Sequence, residues 1–461
     1  MLQELLYRLL FLTSTALLAS CSTLPDVGRY PHSYHIDPSP DFYGAHGPLS
    51  IKQSEAILDR LEHATPGDDG ILQQHLAIER AISGNSLILG NKVTLLVNGP
   101  ATYAAMYEAI SKAKHNVNIE TFILEDNPLT RTLVDLLAQK HRKGLEINLI
   151  YDSYGSLDTS PVFFERLRKA GIRLLEFNPI DPLAIDTLTT INNRDHRKLL
   201  IVDGEVVFIG GINLGAELSG SGSDTQQGGK VGYSWRDTDV RIEGPAAAEF
   251  QKAFIQHWKS QAGPPLTPSS YFPDIRPAGK HIVRAIASSA DAPVPLIYAT
   301  LISAIRSASR TIHITNAYFV PNQHFLDALK EAARRGVSVI LILPKHSDSW
   351  LALAAGHSHY TSLLEAGITI YERRDRVLHA KTIVIDGVWS TIGSSNLDWR
   401  SFRHNDEINA VILGRDFAEQ METLFTHDLA HSNRITLAQW RHRSLWTRFK
   451  ESVARFWQWW L

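Results

Sequence analysis

Cysteine is almost absent from this chain of 461 residues, which contains a single one, Cys21. A disulfide within the chain is therefore excluded, and so is a zinc site built from several cysteines. Excess charge of one sign is also missing, since 46 lysines and arginines face 48 aspartates and glutamates. This balance gives no global attraction to nucleic acid, although a local basic cleft would suffice for a nuclease.

The N-terminus has only a short apolar stretch, residues 5–19, with Arg8 near its start. A membrane span needs about 20 apolar residues, so this stretch favours a secretory signal. The sequence Leu-Ala-Ser-Cys that ends at Cys21 resembles the bacterial lipobox, in which the cysteine is lipidated and becomes the new N-terminus. We therefore predict a lipoprotein signal peptide over residues 1–21. The alternative is a buried first helix with an ordinary free cysteine.

This interpretation predicts where the protein is found. A lipidated Cys21 would make it membrane-associated, lipid-anchored and periplasm-facing in a Gram-negative-type bacterium. Residues 22–90 would then form a tether or extended wrap, followed by a helical preface. Residues 22–50 are rich in Pro, Ser, Gly and Tyr, and residues 51–90 space their apolar side chains as a helix does.

Beyond residue 90 the chain repeats itself. Residues 109–122 resemble 304–319, and the segments KGLEINLIYD and AGIRLLEF have their counterparts in RGVSVILILP and AGITIYER. Each half reads strand, helix, strand, helix, strand, and then a further strand. The pattern predicts an α/β layered fold with largely parallel strands, in two homologous domains related by pseudo-twofold symmetry. We place the domains at residues 91–275 and 276–433.

The two halves differ by two insertions in the first. Gly171 and Gly367 are 196 residues apart, whereas His196 and His379 are 183 apart, so the first half holds 13 extra residues within 181–195. A second excess of this size lies in the Gly/Ser-rich segment 218–233. Loops beside a motif often rim or cover a site, although inert surface loops are as good an interpretation.

A motif that occurs once in each half carries the chemistry. HRKLLIVD contains His196, Lys198 and Asp203, and HAKTIVID contains His379, Lys381 and Asp386. Each copy is followed by a turn of small residues that ends in Asn213 or Asn396. Two complete copies with the same tail exclude a chance match.

These residue types suit phosphoryl chemistry. A neutral imidazole is a good nucleophile toward phosphorus, and a protonated one is a good acid for a leaving alkoxide. A lysine two residues away lies on the same face of a strand and supplies positive charge to phosphoryl oxygens. One histidine cannot be nucleophile and acid at once, whereas two copies brought face to face can divide these roles.

The paired motifs resemble the phospholipase D superfamily, whose signature is HxKx4D followed by GSxN in each half. The resemblance spans roughly residues 90–430 and is strongest to the bacterial cardiolipin synthase branch. It implies a phosphohistidine intermediate on one histidine and protonation of the leaving alcohol by the other. We assign His196 as the nucleophile and His379 as the acid and then the base, although the order could be the reverse.

The resemblance also implies roles for the remaining residues. Asp203 and Asp386 complete the two catalytic motifs, more as supports than as attacking groups. A downstream carboxylate should orient each histidine, and Asp237 and Glu407 occupy those places. The following side chains should hold the substrate phosphate: Lys198, Lys381, Asn213, Asn396 and Ser394. Gly211 replaces the serine of the first copy, so the hydroxyl contact is expected in one half only.

The family reaction implied by this resemblance needs no cofactor and no metal. The 20 histidines form no metal motif that stands out. His357 and His359 in GHSHY could indicate a metal site, but an isolated H-x-H is weak, and we favour a helical or loop surface there.

The C-terminal tail, residues 434–461, ends in a basic segment rich in tryptophan. Over residues 440–461, large apolar side chains recur at helical spacing, and five lysines and arginines stand against a single acid, Glu451. Such an amphipathic helix fits the headgroup boundary of an anionic bilayer. The alternative is a C-terminal helix packed on the protein core.

Together these features predict a cardiolipin synthase-like enzyme with phospholipid substrates. Phosphatidylglycerol is the expected substrate, phosphatidylethanolamine an alternative donor, and the membrane surface a partner; no nucleic acid partner is expected. The runner-up is a hydrolytic phospholipase D that releases phosphatidic acid. A nuclease and a non-catalytic lipid-binding scaffold are the weaker alternatives.

Overall fold

The computed structural model describes residues 42–45, 47–50, 52–54, 56–57, 75, 86–180, 192–215, 234–266, 270–292 and 295–458. The predicted signal peptide with Cys21 lies outside the described residues. Most of the tether and preface lies outside them too, as do the second insertion and nearly all of the first.

The first half is built mainly of eleven strands and four helices. Its strands are β1 (Phe42–Gly44), β2 (Gly47–Pro48), β3 (Leu87–Val97), β4 (Asn116–Thr121), β5 (Glu146–Asp152), β6 (Arg173–Phe177), β7 (Arg194–Asp195), β8 (Leu199–Val202), β9 (Val206–Gly210), β10 (Trp235–Arg236) and β11 (Thr238–Glu243). Its helices are α1 (Asn98–Lys112), α2 (Pro128–His141), α3 (Pro161–Lys169) and α4 (Ala247–Ser260). These counts cover the described part of the chain.

The second half follows the same plan. Its strands are β12 (His281–Ser288), β13 (Thr311–Asn316), β14 (Phe319–Val320), β15 (Ser338–Pro344), β16 (Thr369–Arg373), β17 (Val377–Leu378), β18 (Lys381–Ile385), β19 (Trp389–Gly393), β20 (Leu397–Asp398), β21 (Asn405–Leu413) and β22 (Ser432–Ile435). Its helices are α5 (Leu296–Ser307), α6 (Gln323–Arg334), α7 (Trp350–His357), α8 (Tyr360–Glu365), α9 (Trp399–Arg403) and α10 (Arg415–Ala430), and the tail adds α11 (Leu437–Arg441) and α12 (Leu445–Phe456).

Local sequence explains where the repeated helices begin and end. Helix α2 begins after Asn127, whose side chain accepts hydrogen bonds from two backbone amides of the first turn. Asn322 caps α6 by accepting from the amide of Phe325. Helices α3 and α8 are each followed by a glycine with positive φ, Gly171 and Gly367. Glycine adopts this conformation without a Cβ penalty, so the chain turns into the next strand at matching places in both halves.

The predicted α/β layers and the duplicated arrangement are confirmed, but largely parallel pairing is wrong. Strands β4, β5 and β6 are parallel, as are β13, β15 and β16. The motif strand β8 instead runs antiparallel to both β4 and β9, and β18 runs antiparallel to β13 and β19. The reason is a tight turn directly after each motif strand, which returns the chain beside itself. Helical crossovers, which make paired strands parallel, connect β4 to β5 and β5 to β6, and likewise β13 to β15 and β15 to β16.

A shared core fixes the two halves relative to each other. Strand β3 pairs antiparallel with β12, the equivalent strand of the other half. One apolar cluster draws on both halves, with Val240, Phe250 and Trp258 from the first and Ile408 and Ile412 from the second. Burial of large apolar side chains across this junction holds the two motif strands in a fixed mutual position.

The N-terminal region agrees with its prediction in one place and departs from it in another. Phe42–Gly44 is a strand that pairs in parallel with β3, and Phe42 is fully buried, which agrees with an extended wrap and not with a free tether. Strand β3 begins at Leu87, inside the predicted helical preface. The described residues of 52–57 and residue 75 are helical. An apolar side chain at Phe42 has the edge of β3 to pack on, which local composition could not reveal.

The tail forms two helices after the last strand of the sheet. Helix α11 lies beside α8, and α12 packs against α7. Within the described ranges, no helix combines the length and the hydropathy that crossing a bilayer requires.

Candidate active site

A cavity of about 410 Å³ lies between the two halves, and both motif histidines line it. Aromatic, amide and charged side chains from both halves complete its wall. The lining includes Phe122, Ile123, Glu125, Tyr154, Asn213, Trp235, Tyr318, Asp348, Ser349, Asn396, Asp398, Arg400 and Asn405.

Short strands that cross between the halves deliver each histidine to this cavity. Strand β7 pairs with the start of β21, and the amide of His196 donates to the carbonyl of Asp406 at 2.9 Å. Strand β10 pairs with β17, and the amide of His379 donates to the carbonyl of Arg236 at 2.8 Å. Each motif is therefore anchored at its first residue on the opposite half.

The His196 imidazole is oriented by a carboxylate of the second half. Its Nδ1 lies 2.9 Å from Oε1 of Glu407, which is fully buried. Burial and the nearby Lys198 charge lower the pKa of His196 to about 4 although Glu407 opposes that shift, so the imidazole is neutral at ordinary pH. Burial raises the pKa of Glu407, but the contact with His196 and the charge of Lys198 lower it overall. The ionised carboxylate accepts the Nδ1 proton and leaves a lone pair on Nε2.

His379 has the corresponding arrangement with the halves exchanged. Its Nδ1 lies 2.7 Å from Oδ2 of Asp237, which belongs to the first half and is fully buried. Burial and the Lys381 charge lower the pKa of His379, whereas Asp237 opposes that shift. The edge of the Trp235 ring contacts the imidazole, with centroids 5.0 Å apart.

The two motif lysines are buried beside the histidines. The Lys198 ammonium donates to the carbonyl of His196 at 2.6 Å, and that of Lys381 donates to the carbonyl of His379 at 2.5 Å. Burial lowers the pKa of Lys198 to about 7 and that of Lys381 to about 8. The two ammonium groups also repel each other, so an arriving anion would relieve an unfavourable interaction.

The two motif asparagines line the cavity together with the histidines. The Oδ1 of Asn213 accepts from the amide of Ile123 at 3.3 Å, and the Tyr103 hydroxyl donates to the carbonyl of Asn213 at 2.5 Å. The Oδ1 of Asn396 is buried and makes no hydrogen bond with the described residues. An amide in this state is available to a bound group.

Ser394 is placed differently from the prediction that it holds substrate phosphate. Its hydroxyl donates to Oε2 of Glu407 and accepts from the amide of Ile408 at 3.0 Å, and the residue is fully buried. At the equivalent Gly211, a Cβ would lie 2.2 Å from Oδ1 of Asp237. Ser394 therefore holds Glu407 by a hydrogen bond, whereas Gly211 leaves space for Asp237.

Asp203 and Asp386 lie at the far end of their strands and are not among the described residues that line the cavity, which agrees with the expectation that they support the site and do not attack. Asp203 accepts from three consecutive backbone amides, those of Lys114, His115 and Asn116, at 2.7–3.0 Å. Asp386 makes the same three contacts with residues 309–311 and also lies 3.2 Å from Nε2 of His75. Both aspartates have positive φ. Their role is to fix the turn after the motif strand to the loop before its neighbour.

A buried ionic cluster behind His196 was missed in the sequence. The His257 Nδ1 lies 2.5 Å from Oε1 of Glu120, and its Nε2 lies 3.0 Å from Oδ2 of Asp406. Arg197 lies 3.5 Å from the same glutamate, and its amide donates to Asp195. These charges raise the pKa of His257 to about 10 and lower that of Asp406 to about 2. In the sequence, the available signal for this cluster was that Asp195 directly precedes His196 and Asp406 directly precedes Glu407.

The second half has a counterpart of this cluster with the charges reversed. Arg236, which precedes Asp237, makes a two-point contact with Asp428 at 2.8 and 3.0 Å, and Arg373 donates to Asp428 at 2.5 Å. The residue before each orienting carboxylate is thus ion-paired to a helix of the other half. This arrangement fixes the strand that carries the carboxylate.

By type and distance, Glu120, Asp195 and His257 could hold a metal ion, since their ligand atoms lie within 4.8 Å of one another. Arg197 beside Glu120 and Asp406 on the second imidazole nitrogen already balance these charges. His357 and His359 do not form such a group among the described residues. The prediction that they lie on a surface is wrong: His359 is buried, and His357 is half-buried 3.0 Å from Glu372.

Two α/β repeats that face each other across a cavity with paired histidines define the phospholipase D class. The family model described as "Cardiolipin synthase, PLD-like domain" matches residues 106–258 and 301–429. The chain belongs to this family, and the resemblance drawn from its motifs is confirmed.

Curated relatives agree with this assignment. The chain is 34% identical over 383 residues to the cardiolipin synthase of Geobacillus thermodenitrificans, covering 83% of this chain and 74% of the relative. It is 34% identical over 374 residues to the cardiolipin synthase of Listeria monocytogenes, covering 81% and 76%.

Solved structures share the fold at low sequence identity. The phosphatidylserine synthase of Haemophilus influenzae has a TM-score of 0.63 at 12% identity, covering 83% of this chain and 97% of that one. The polyphosphate kinase of Porphyromonas gingivalis has a TM-score of 0.51 at 12% identity, covering 79% and 53%. These likenesses concern the fold alone.

Proposed function

We propose that this chain makes cardiolipin from two phosphatidylglycerol molecules by transferring a phosphatidyl group through a phosphohistidine. The observation that carries the proposal is the pair of imidazoles on one cavity. Each is held at Nδ1 by a buried carboxylate of the opposite half, so each has Nε2 free for chemistry. A scaffold that only bound lipid would need no such pair.

In the first step, Nε2 of His196 forms a bond to phosphorus, and the bond from phosphorus to the oxygen of the leaving glycerol breaks. The imidazolium of His379 gives its proton to that oxygen. Asp237 favours the imidazolium, and the negative charge of the arriving phosphodiester favours it further. The nucleophile must be neutral, which the low pKa of His196 ensures.

In the second step, the neutral His379 accepts the proton of a hydroxyl of another phosphatidylglycerol. That oxygen bonds to phosphorus as the bond to His196 breaks, giving cardiolipin and the free enzyme. Lys198 and Lys381 offset the charge that builds up on the phosphoryl oxygens, and Asn213 and Asn396 contribute neutral hydrogen-bonding groups. Water in place of the lipid hydroxyl would give phosphatidic acid instead.

The test is an analysis of lipids after the purified protein is incubated with phosphatidylglycerol vesicles. We expect cardiolipin and free glycerol in equal amounts, a rate at least about 100-fold lower with His379→Ala, and the same rate in EDTA. Phosphatidic acid without cardiolipin would identify a hydrolase. A second incubation with phosphatidylethanolamine and phosphatidylglycerol shows whether the first can be the donor, since ethanolamine would then be released.

We also propose that the enzyme is lipid-anchored at Cys21 and faces the periplasm. The support is the short apolar stretch that ends in Leu-Ala-Ser-Cys. Labelling cells with a palmitate analogue should mark the wild type and leave Cys21→Ser unmarked. Equal labelling of both, or of neither, contradicts the anchor.

A further inference from the structure

The C-terminal helix α12 leaves its large apolar side chains in solvent. Leu445 is 80% exposed and Trp446 63%, and Phe449, Val453, Phe456 and Trp457 are exposed with them. They lie along one side of the helix, which we call the apolar arc. A contiguous exposed apolar patch of this kind is typical of an interaction surface.

The opposite side of α12 packs on the wall of the catalytic cavity. Ala454 is fully buried in a cluster with Val320, Ala352 and Ala355. Ala352 lies on α7 and lines the catalytic cavity, as does Ser349, which caps α7. Trp350, also on α7, is exposed. Helix α7 therefore lies between the catalytic cavity and α12, the helix that carries the apolar arc.

A second cavity, of about 300 Å³, lies along the flank of α12 and is strongly basic. Its described lining consists of Arg441, Arg443, Arg448, Arg455, Glu451, Ser358, Thr361 and Ser452. We call it the basic pocket. Arg448, Ser452 and Arg455 recur at helical spacing on the side of α12 next to the apolar arc.

One arginine of the basic pocket is already neutralised. Arg443 makes a two-point contact with the buried Glu451, with nitrogen–oxygen distances of 2.8 Å. Arg441 pairs with Glu365 only at an exposed position, where an ion pair contributes little. Arg448 donates to the carbonyl of Arg441, and the hydroxyls of Ser358 and Ser452 donate to backbone carbonyls. The remaining donors of Arg448 and the guanidinium of Arg455 leave an excess of positive charge in the pocket.

We propose that the basic pocket binds the headgroup phosphate of an anionic phospholipid while the apolar arc inserts among the acyl chains of the same bilayer. Arginine presents donors in a planar fork that matches phosphate, and tryptophan favours the boundary between headgroups and chains. The charge and the apolar arc fit one partner, an anionic bilayer. The choice of lipid rests on the proposed function, although binding can be tested without turnover.

Two substitutions on the same helix provide a matched test. Arg448 lines the basic pocket, whereas Lys450 lies outside it, with its ammonium 5.4 Å from the centroid of the Trp446 ring. Arg448→Gln and Lys450→Gln each remove one positive charge. Both are made in the full chain carrying His379→Ala, so that the lipid is not consumed, and the N-terminal segment is the same in each.

Binding is measured by sedimentation with phosphatidylglycerol-containing and pure phosphatidylcholine vesicles. We expect Arg448→Gln to weaken binding to the anionic vesicles about fivefold and Lys450→Gln less than twofold, with little effect of either on phosphatidylcholine. Arg448→Lys, which keeps the charge and loses the fork, should fall between. Equal losses in the two glutamine variants would mean unspecific attraction, and no loss in either would also overturn the pocket. Thermal unfolding checks that each variant is folded.

A fluorescence experiment separates a lipid from a soluble anion. Vesicles with brominated acyl chains should quench tryptophan fluorescence more in Lys450→Gln than in Arg448→Gln, and inorganic phosphate alone should change neither. An Arg448-dependent change with inorganic phosphate alone would make the ligand a soluble anion. If the wild type makes cardiolipin while both variants bind equally, this proposal fails and the proposed function stands. If the wild type makes no cardiolipin while Arg448→Gln binds anionic vesicles more weakly than Lys450→Gln, the proposed function fails and this proposal stands.

Discussion

The two histidine centres are built to one plan but differ in what surrounds the carboxylate. Glu407, which orients His196, also accepts from the hydroxyl of Ser394. Asp237, which orients His379, has Gly211 at the equivalent place, where a Cβ would not fit. The His196 centre thus combines the longer carboxylate, Glu407, with a serine, whereas the His379 centre combines the shorter one, Asp237, with a glycine.

This difference suits two histidines that do different work. Burial raises the pKa of Glu407, but the contact with His196, the charge of Lys198 and the Ser394 hydroxyl lower it overall, so the carboxylate stays ionised and fixes the Nδ1 proton of His196. Asp237 has no hydroxyl from the turn, and in the proposed mechanism it stabilises an imidazolium in one step and the neutral imidazole in the next. The duplication of the domain supplies two histidines, and the different hydrogen bonds around their carboxylates distinguish one histidine from the other.

The largest effect should come from the histidines themselves. His196→Ala should lower kcat at least about 10⁴-fold with any donor, because no nucleophile remains. His379→Ala should lower it about 10²- to 10⁴-fold with a natural donor. Only the second variant should recover with a donor that carries a nitrophenol leaving group, which needs no proton. Recovery of His196→Ala and not of His379→Ala would reverse the two roles.

The next effect concerns the orienting carboxylates. Glu407→Gln and Asp237→Asn should each lower kcat about 100-fold, since an amide holds the wrong tautomer and cannot stabilise an imidazolium. The nitrophenol donor should rescue Asp237→Asn more than Glu407→Gln. A similar degree of rescue in both would mean that the two centres are chemically equivalent.

Substitutions of Ser394 and Gly211, the small residues beside the two carboxylates, should have smaller effects on kcat. Ser394→Ala removes one hydrogen bond to a charged acceptor and should lower kcat about tenfold. Gly211→Ser should lower it more, because the new Cβ displaces Asp237. Steady-state kinetics on folded protein would test this order, and a harmless Gly211→Ser would show that the first centre has room that the structure does not indicate.

The smallest expected effect is a shift in the alkaline limb of the profile of kcat/KM against pH. The general acid His379, whose pKa is lowered by burial and by the Lys381 charge, loses its proton as the pH rises and begins the fall of kcat/KM. Lys198, with a pKa of about 7, loses its charge next, so the fall should steepen by about tenfold per unit above that value. The low pKa of His196 keeps the nucleophile neutral down to about pH 5. In Lys198→Arg this steeper part should move upward by about one unit, toward the limit set by Lys381, because a guanidinium stays charged. A limb that does not move would assign it to another group.

Sequence spacing predicted the features that depend on neighbours along the chain. The alternation of apolar segments gave the order of strands and helices, and the motif identified His196 and His379. It could not give strand direction, because the turn after Asp203 is recognised only from its backbone conformation. The same turn shows that this aspartate is a structural residue, which the motif alone left open.

Contacts between distant residues were beyond prediction from spacing. The pairing of His196 with Glu407 joins residues 211 apart, and the cluster around His257 joins four separate segments. Nothing local in α4 marks His257 as a partner of Asp406. Such contacts depend on how the two halves dock through β3 and β12, and no single repeat contains that information.

The most direct test of divided roles is to trap the covalent intermediate. Wild type, His196→Ala and His379→Ala are mixed with the nitrophenol donor, quenched in alkali within the first turnover, and examined by peptide mass spectrometry. A phosphatidyl adduct on His196 in the wild type and in His379→Ala, and none in His196→Ala, is the expected result. An adduct on His379 that persists in His196→Ala would contradict the account.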